Sequence, residues 1–213
     1  MRRFGVLGSG PVGQTLARGL KTHGYDVRIG SRSPGGLGEF SMASGIPADS
    51  FAKVAAWAEG LVLAVVGRAA GDALRLAGVG NLKGKLVIDT TNPISDAPPV
   101  DGVLQFFTGP NDSLLERLQQ EFTDVRFVKA FNSVGNAFMV NPSFSGGVPT
   151  MFYCGNDAEA KAIVARIIEQ FGWEGADMGT AVAARAIEPL CQLWCIPGLR
   201  ENRWTNAFRL LRR

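Results

Sequence analysis

Histidine is nearly absent from this 213-residue sequence, the only one being His23. Without a second imidazole, neither a Ser-His-Asp arrangement nor a Cys-His dyad can be assembled away from position 23, which argues against hydrolysis by those routes. Cysteine is scarce as well, with three residues. Met1-Arg2-Arg3 resembles a secretory n-region, but Gly5, Gly8 and Gly10 break the apolar stretch behind it. Free thiols in a reducing compartment are therefore expected, with the cytoplasm as the location. Cys191 and Cys195 lie at i, i+4, yet zinc wants about four ligands and no further Cys pair or nearby His exists. They read as core thiols, and no metal site is expected. The longest fully apolar run, Leu61 to Val66, is far short of the roughly twenty residues a membrane span needs. Charge is mild: the net value is +3, too little to announce a nucleic-acid partner, although the tail carries Arg200, Arg203, Arg209, Arg212 and Arg213. Apolar residues at 46% against 19% charged exclude an intrinsically disordered chain.

Glycine is what the chain has in excess, 27 residues without a three-residue period. Such glycines belong at turns or where backbone approaches a ligand. Short apolar runs alternate with helical periodicities, the pattern of β-α-β units around a parallel sheet. Strands are expected at Phe4 to Leu7, Tyr25 to Ile29, Leu61 to Val66, Leu86 to Thr90, Arg126 to Phe131 and Thr150 to Cys154. Val12, Leu16 and Leu20 mark the first helix, between Pro11 and Gly24. Further helices are expected at residues 50–59, 68–77 and 112–122. Asn156 and Glu159 are spaced as a capping box opening another, whose core face is Ile163, Val164, Ile167, Ile168 and Phe171. A helix from Thr180 to Cys195, interrupted at Pro189, and a last amphipathic turn with Trp204, Phe208 and Leu211 complete the reading. The tail stripe reads as core or dimer contact rather than a membrane anchor. The fold expected is α/β, a doubly wound, mostly parallel sheet. Residues 1–140 form a dinucleotide-type domain and residues 141–213 a small C-terminal domain.

Gly8-Ser9-Gly10-Pro11-Val12-Gly13 fits G-x-G-x-x-G between a strand and a helix, the context that gives the pattern meaning. The first glycine permits the tight turn, the second lets backbone approach a pyrophosphate, and the third lets helix and strand pack closely. The alternative is an ordinary Gly-rich turn. NAD-binding versions place an acid after the second strand. From Val27 to Gly38 there is none, and Asp26 stands at the strand's entrance. Ser31 and Arg32 at the exit match a 2′-phosphate instead, which points to NADP(H); the bland alternative is a solvated surface arginine.

In open α/β sheets the ligand lies over the C-terminal strand ends. Val65 and Val66, then Asn92 and Pro93, then Ala130, Phe131 and Asn132 should line that crevice. The two valines would pack on the cofactor, and the two asparagines would offer amides to nicotinamide and ribose. Each also reads as a strand-to-turn residue closing its own backbone. Lys129 reads as a structural or solvent lysine. Arg185 and Glu188, at i, i+3, read as an intrahelical ion pair.

Several strings together carry a family resemblance: Phe4 to Gly13, Gly30-Ser31-Arg32, Asp89-Thr90-Thr91-Asn92-Pro93, Val128-Lys129-Ala130-Phe131-Asn132, Tyr153 to Asp157, Asp177-Met178-Gly179, Ala184-Arg185 and Glu188-Pro189. In this order, over nearly the whole chain, they resemble the NADP oxidoreductases that use the deazaflavin coenzyme F420. The resemblance implies a Rossmann domain with a small C-terminal domain, hydride passing between stacked nicotinamide and deazaflavin rings, and a homodimer. It implies pyrophosphate on Gly8 to Gly13, 2′-phosphate on Ser31 and Arg32, and nicotinamide beside Ala130 to Asn132. The chain departs from the pattern at Asn132, where F420-using members can have His. The reductase domain of six-transmembrane metalloreductases, which passes hydride to a flavin, is a similar pattern.

The expected function is hydride transfer between NADP(H) and a deazaflavin, flavin or similar small-molecule acceptor, with no nucleic-acid or membrane partner. No catalytic side chain is assigned, since holding two rings in a near-attack arrangement supplies the rate. A non-catalytic NADP(H)-sensing module and a reductase of a small imine or carbonyl stand as alternatives.

Overall fold

Period-two alternation inside the apolar runs decides which side chain faces which layer. Val62, Ile88 and Val128 point to one side of the sheet, while Leu61, Leu63, Val87 and Phe127 point to the other. Both sides are covered, so the central strands read as apolar throughout. In the computed structural model, which describes residues 1–213, the order is β1 (Arg3–Leu7), α1 (Pro11–Thr22), β2 (Asp26–Gly30), α2 (Gly38–Ser44), β3 (Ala48–Asp49), α3 (Phe51–Trp57), β4 (Gly60–Leu63), α4 (Ala70–Ala77) and α5 (Val79–Leu82). Then come β5 (Leu86–Asp89), α6 (Leu114–Glu121), β6 (Arg126–Lys129), β7 (Thr150–Gly155), α7 (Ala158–Gln170), β8 (Glu174–Asp177), α8 (Ala184–Ile187) and α9 (Pro189–Glu201).

The eight strands form one sheet in the order β3-β2-β1-β4-β5-β6-β7-β8. Strands β1 to β6 are mutually parallel, and β7 reverses against β6. This is the α/β doubly wound architecture read from the sequence, with a Rossmann strand order in its first six strands. Residue 140 lies between β6 and β7, two strands hydrogen bonded to each other. One core layer packs α1 and α7 on the sheet through Leu16, Leu20, Val164, Ile167 and Phe171. The other packs α3, α4 and α6 through Val54, Leu74 and Leu118. No helix is long and apolar enough to cross a membrane.

Several local expectations are corrected. The N-cap of α7 is Asp157, which accepts from the Ala160 N–H at 2.7 Å. Asn156 is drawn away, its Oδ1 accepting from the Ala181 N–H. The last helix continues through Pro197 to Glu201. The tail is not helical: Trp204 stacks on Trp194 at 5.6 Å and lies over Gly198, where a Cβ would leave it no room. Beyond it the Phe208 carbonyl accepts from the Thr150 N–H, so the tail runs beside the start of β7. Strands β3 and β8 and helix α2 were not anticipated, being short or poor in apolar residues.

Candidate functional site

The turn between β1 and α1 brings two parts of the backbone closer than any side chain would permit. Gly8 has φ +134°, and a Cβ there would strike the Ala64 carbonyl. A Cβ on Gly13 would strike the Gly8 carbonyl, so the third glycine of the motif seats α1 on its strand. At Gly10 a Cβ would meet nothing within 4 Å, because this position faces open space. Gly10 is also the N-cap of α1 without a side-chain cap, and Pro11 follows it. The first-turn N–H groups therefore point outward with the positive end of the helix dipole, which suits an anion.

These residues border a cleft of about 1170 Å³ over the exits of β1, β2, β4 and β5. Gly8, Ser9, Gly10, Pro11, Val12, Ser31, Arg32, Val65, Val66 and Asn92 all line it. Ser31 donates to Ser9 at 3.3 Å and accepts from the Ser33 N–H at 3.1 Å, so a hydroxyl pair stands beside the glycine loop. Arg32 is exposed on the rim and enters none of the ion pairs of the molecule. The carboxylate that β3 brings alongside, Asp49, is turned away. It accepts from the Ser50 N–H at 2.7 Å and meets Lys53 at 3.4 Å. The Ser50 bond, with help from Lys53 and Arg28, holds its carboxyl below the usual range. Asp72 is the one carboxylate lining the cleft, and it is tied to Arg75 at 2.7 Å. Arg68, also on the wall, pairs with Asp96 across the neighbouring loop.

Five sequence candidates stand behind the wall. Gly13, Pro93, Ala130, Phe131 and Asn132 are buried and do not line the cleft. Phe131 sits in the left-handed region at φ +59°, its N–H directed at the Met151 sulfur, and its ring packs on Phe171. Asn132 donates to Asn92 Oδ1 at 3.0 Å and to the Ile187 carbonyl at 3.0 Å, while Asn92 Nδ2 donates back to the Asn132 carbonyl at 2.8 Å. Both ends of the Asn92 amide are thus engaged by Asn132. The two amides form a reciprocal pair, with Asn92 on the cleft wall and Asn132 behind it.

The sequence reading missed a sealed ionic cluster behind Thr91. Lys129, 0% exposed, lies 2.7 Å from Asp89 and 2.9 Å from Glu188, and donates to the Thr91 carbonyl at 2.8 Å. The ammonium is thus enclosed by two carboxylates and one carbonyl. Glu188 accepts from the N–H groups of Leu114 and Leu115 at the start of α6, and Asp89 accepts from the N–H and hydroxyl of Thr91. Burial works against the Lys129 ammonium, but Asp89 and Glu188 outweigh it and hold its pKa above the ordinary lysine value. Neither a solvent lysine nor an intrahelical Arg185–Glu188 pair is present. Arg185 reaches instead to Glu116 on α6 at 2.7 Å, and that bond holds the Glu116 carboxyl below the usual range. A signal for the cluster existed. Asp89 closes the otherwise apolar strand β5, Lys129 follows the apolar pair Phe127-Val128 at the end of β6, and the two are register partners in the sheet.

Known proteins agree with this architecture. The family described as NADP oxidoreductase, coenzyme F420-dependent, matches residues 3–93. An Arthrobacter sp. FB24 protein, provisionally described as an F420-dependent NADP-reductase, superposes with a TM-score of 0.92 at 32% identity, covering 100% of both chains. The chain belongs to this family. As a member of the coenzyme F420-dependent NADP oxidoreductases, it is an NADP-dependent oxidoreductase. The rat metalloreductase STEAP3 is 29% identical over 92% of the chain, which spans 38% of that protein's length. An imine reductase from Aspergillus terreus shares the fold, with a TM-score of 0.68 at 17% identity over 93% of this chain and 62% of that one.

Proposed function

We propose that this F420-dependent-type oxidoreductase binds NADPH along the cleft and passes its hydride to a flat conjugated acceptor, the deazaflavin F420 or a flavin. Bound NADPH supplies the hydride and its two electrons. The chain's own residues bind, orient and shield. The loop Gly8 to Gly13 and the first turn of α1 take the pyrophosphate on backbone N–H groups. Arg32, with the hydroxyls of Ser31 and Ser9, takes the 2′-phosphate by charge-assisted hydrogen bonds. Val65 and Val66 give apolar walls. Thr91 and Asn92 form the nicotinamide side, backed by Pro93, Ala130, Phe131 and Asn132.

Arg32 carries this reading. It is an exposed guanidinium on the cleft rim with no acid beside it, at the strand exit where an NAD-specific site presents a carboxylate. The acceptor class draws support from the ionisable side chains of the wall: Arg32, Arg68, Asp72 and Arg75 follow β2 and β4, and none follows β5. Reduction of a carbonyl calls for an acid beside the oxygen, whereas a ring acceptor needs its face held in place. We retain the small C-terminal domain of residues 141–213 as the acceptor side and the homodimer contact. Exposed Leu193 and Leu199 on α9 offer an apolar surface for a second copy, which sedimentation tests. Three free cysteines accord with a reducing, cytoplasmic setting.

Calorimetry with NADPH and NADH, followed by nicotinamide absorbance with F420, FMN and a carbonyl panel, tests the reading. Tight NADPH binding and oxidation by a tricyclic acceptor alone are expected. A preference for NADH would overturn the cofactor assignment, and turnover with carbonyls alone would overturn the acceptor class.

A further inference from the structure

Two independent routes run from one short segment, Ile187-Glu188, to one short stretch of cleft wall, Thr91-Asn92. In the ionic route, Glu188 meets Lys129 at 2.9 Å and Lys129 donates to the Thr91 carbonyl at 2.8 Å. Asp89, bonded to the same lysine, takes both the N–H and the hydroxyl of Thr91. In the amide route, the Ile187 carbonyl accepts from Asn132, which closes the reciprocal pair with Asn92. Thr91 uses its N–H, hydroxyl and carbonyl in these routes, and each end of the Asn92 amide makes one bond to Asn132. Neither residue can shift without breaking one of these bonds.

An ionic cluster in this position is not explained by stability alone. A buried ion pair is often no more stable than a well-packed apolar replacement of the same volume, and geometric specificity is one use for which such groups are kept. Here two carboxylates face one ammonium, an arrangement that persists because four N–H and O–H groups, at Leu114, Leu115 and Thr91, donate to the carboxylates. Nearby, Arg185 and Glu116 join α8 to α6 with no bond to the cleft wall. That neighbouring pair is the internal control.

We infer that Lys129, Glu188 and Asn132 are positioning residues for hydride transfer, fixing Thr91-Asn92 so that the nicotinamide is held in one orientation while affinity is set elsewhere in the cleft. This rests on the NADPH reading above. None of the three lines the cleft, so they act through the wall rather than on the cofactor.

The test compares wild type, Glu188→Gln, Asn132→Leu and the control Arg185→Gln. For each, calorimetry gives the NADPH dissociation constant and time-resolved emission gives the lifetime of the bound reduced nicotinamide. We expect dissociation constants within about threefold of wild type, because the charge-assisted phosphate contacts at Arg32 and the glycine loop are untouched by these substitutions. The bound lifetime should fall at least twofold toward that of free NADPH in Glu188→Gln and Asn132→Leu, and stay at the wild-type value in Arg185→Gln. Should Glu188→Gln fail to fold, Asn132→Leu, which leaves the ionic route whole, decides the matter. Unchanged lifetimes in the folded variants, or an equal fall in Arg185→Gln, would overturn the inference while leaving the NADPH reading intact. A wild-type protein that does not bind NADPH would remove both.

Discussion

Charge is used in two opposite ways in this molecule. Arg32 stands on the rim, exposed and without a partner. Lys129 is sealed behind the opposite wall between two carboxylates and a carbonyl. A cation without a partner at a strand exit has solvent to lose and an anion to gain, which is the condition for binding. A fully paired cation in the interior offers nothing to a ligand, and its directional bonds hold backbone in place. The same element of chemistry thus separates recognition from positioning.

The contrast can be broken from either end. The largest effect should come from Lys129→Met, which strands Asp89 and Glu188 as buried, facing carboxylates. Urea unfolding should show a loss of about 3–5 kcal/mol, and a loss under 1 kcal/mol would mean the cluster is a bystander. Next, Arg32→Asp should leave stability unchanged but weaken NADPH by about 1.5–3 kcal/mol, the worth of a hydrogen bond to a charged group. NADH should be affected far less in the same titration, and equal losses would sink the 2′-phosphate role. The glycine loop sharpens the same division. Gly13→Ala, overpacked against the Gly8 carbonyl, should cost about 1–3 kcal/mol of stability, whereas Gly10→Ala should keep the melting temperature and lose NADPH affinity.

The smallest effects are at the edges of the pH scale. Glu116 has its folded pKa lowered by Arg185, so its contribution is present above the unfolded carboxylate value of about 4.3 and lost as pH falls through the folded value. Lys129 has its folded pKa raised, so its contribution is whole below about 10.4 and lost only as pH rises past the folded value. Melting curves of Arg185→Gln should lose part of the acid-side slope and keep the alkaline side.

What was legible in the sequence is what lies close together along it. The strand, glycine turn and helix at residues 4–22, and Ser31-Arg32 after the next strand, announce themselves by spacing, and the cleft forms over them. Lys129 could not be read in this way because its partners arrive from β5 and from the α8–α9 junction. Asn132 stands out in the sequence, but the bonds to Asn92 and Ile187 that set it behind the wall join residues far apart along the chain and are not legible there. The tail failed differently. Trp204, Phe208 and Leu211 have helical spacing, but stacking on Trp194 and pairing with Thr150 hold the chain extended. Tertiary contacts override periodicity in so short a segment.

The reversal at β7 has a mechanical corollary. Because β7 is bonded to β6 and carries β8 in the same sheet, the last third of the chain is joined edge-on to the sheet of the first six strands, and a swinging closure would have to break that pairing. Scattering curves recorded with and without NADPH should therefore overlay, and access to the cleft would be governed by rim side chains rather than by a jaw-like motion of two halves.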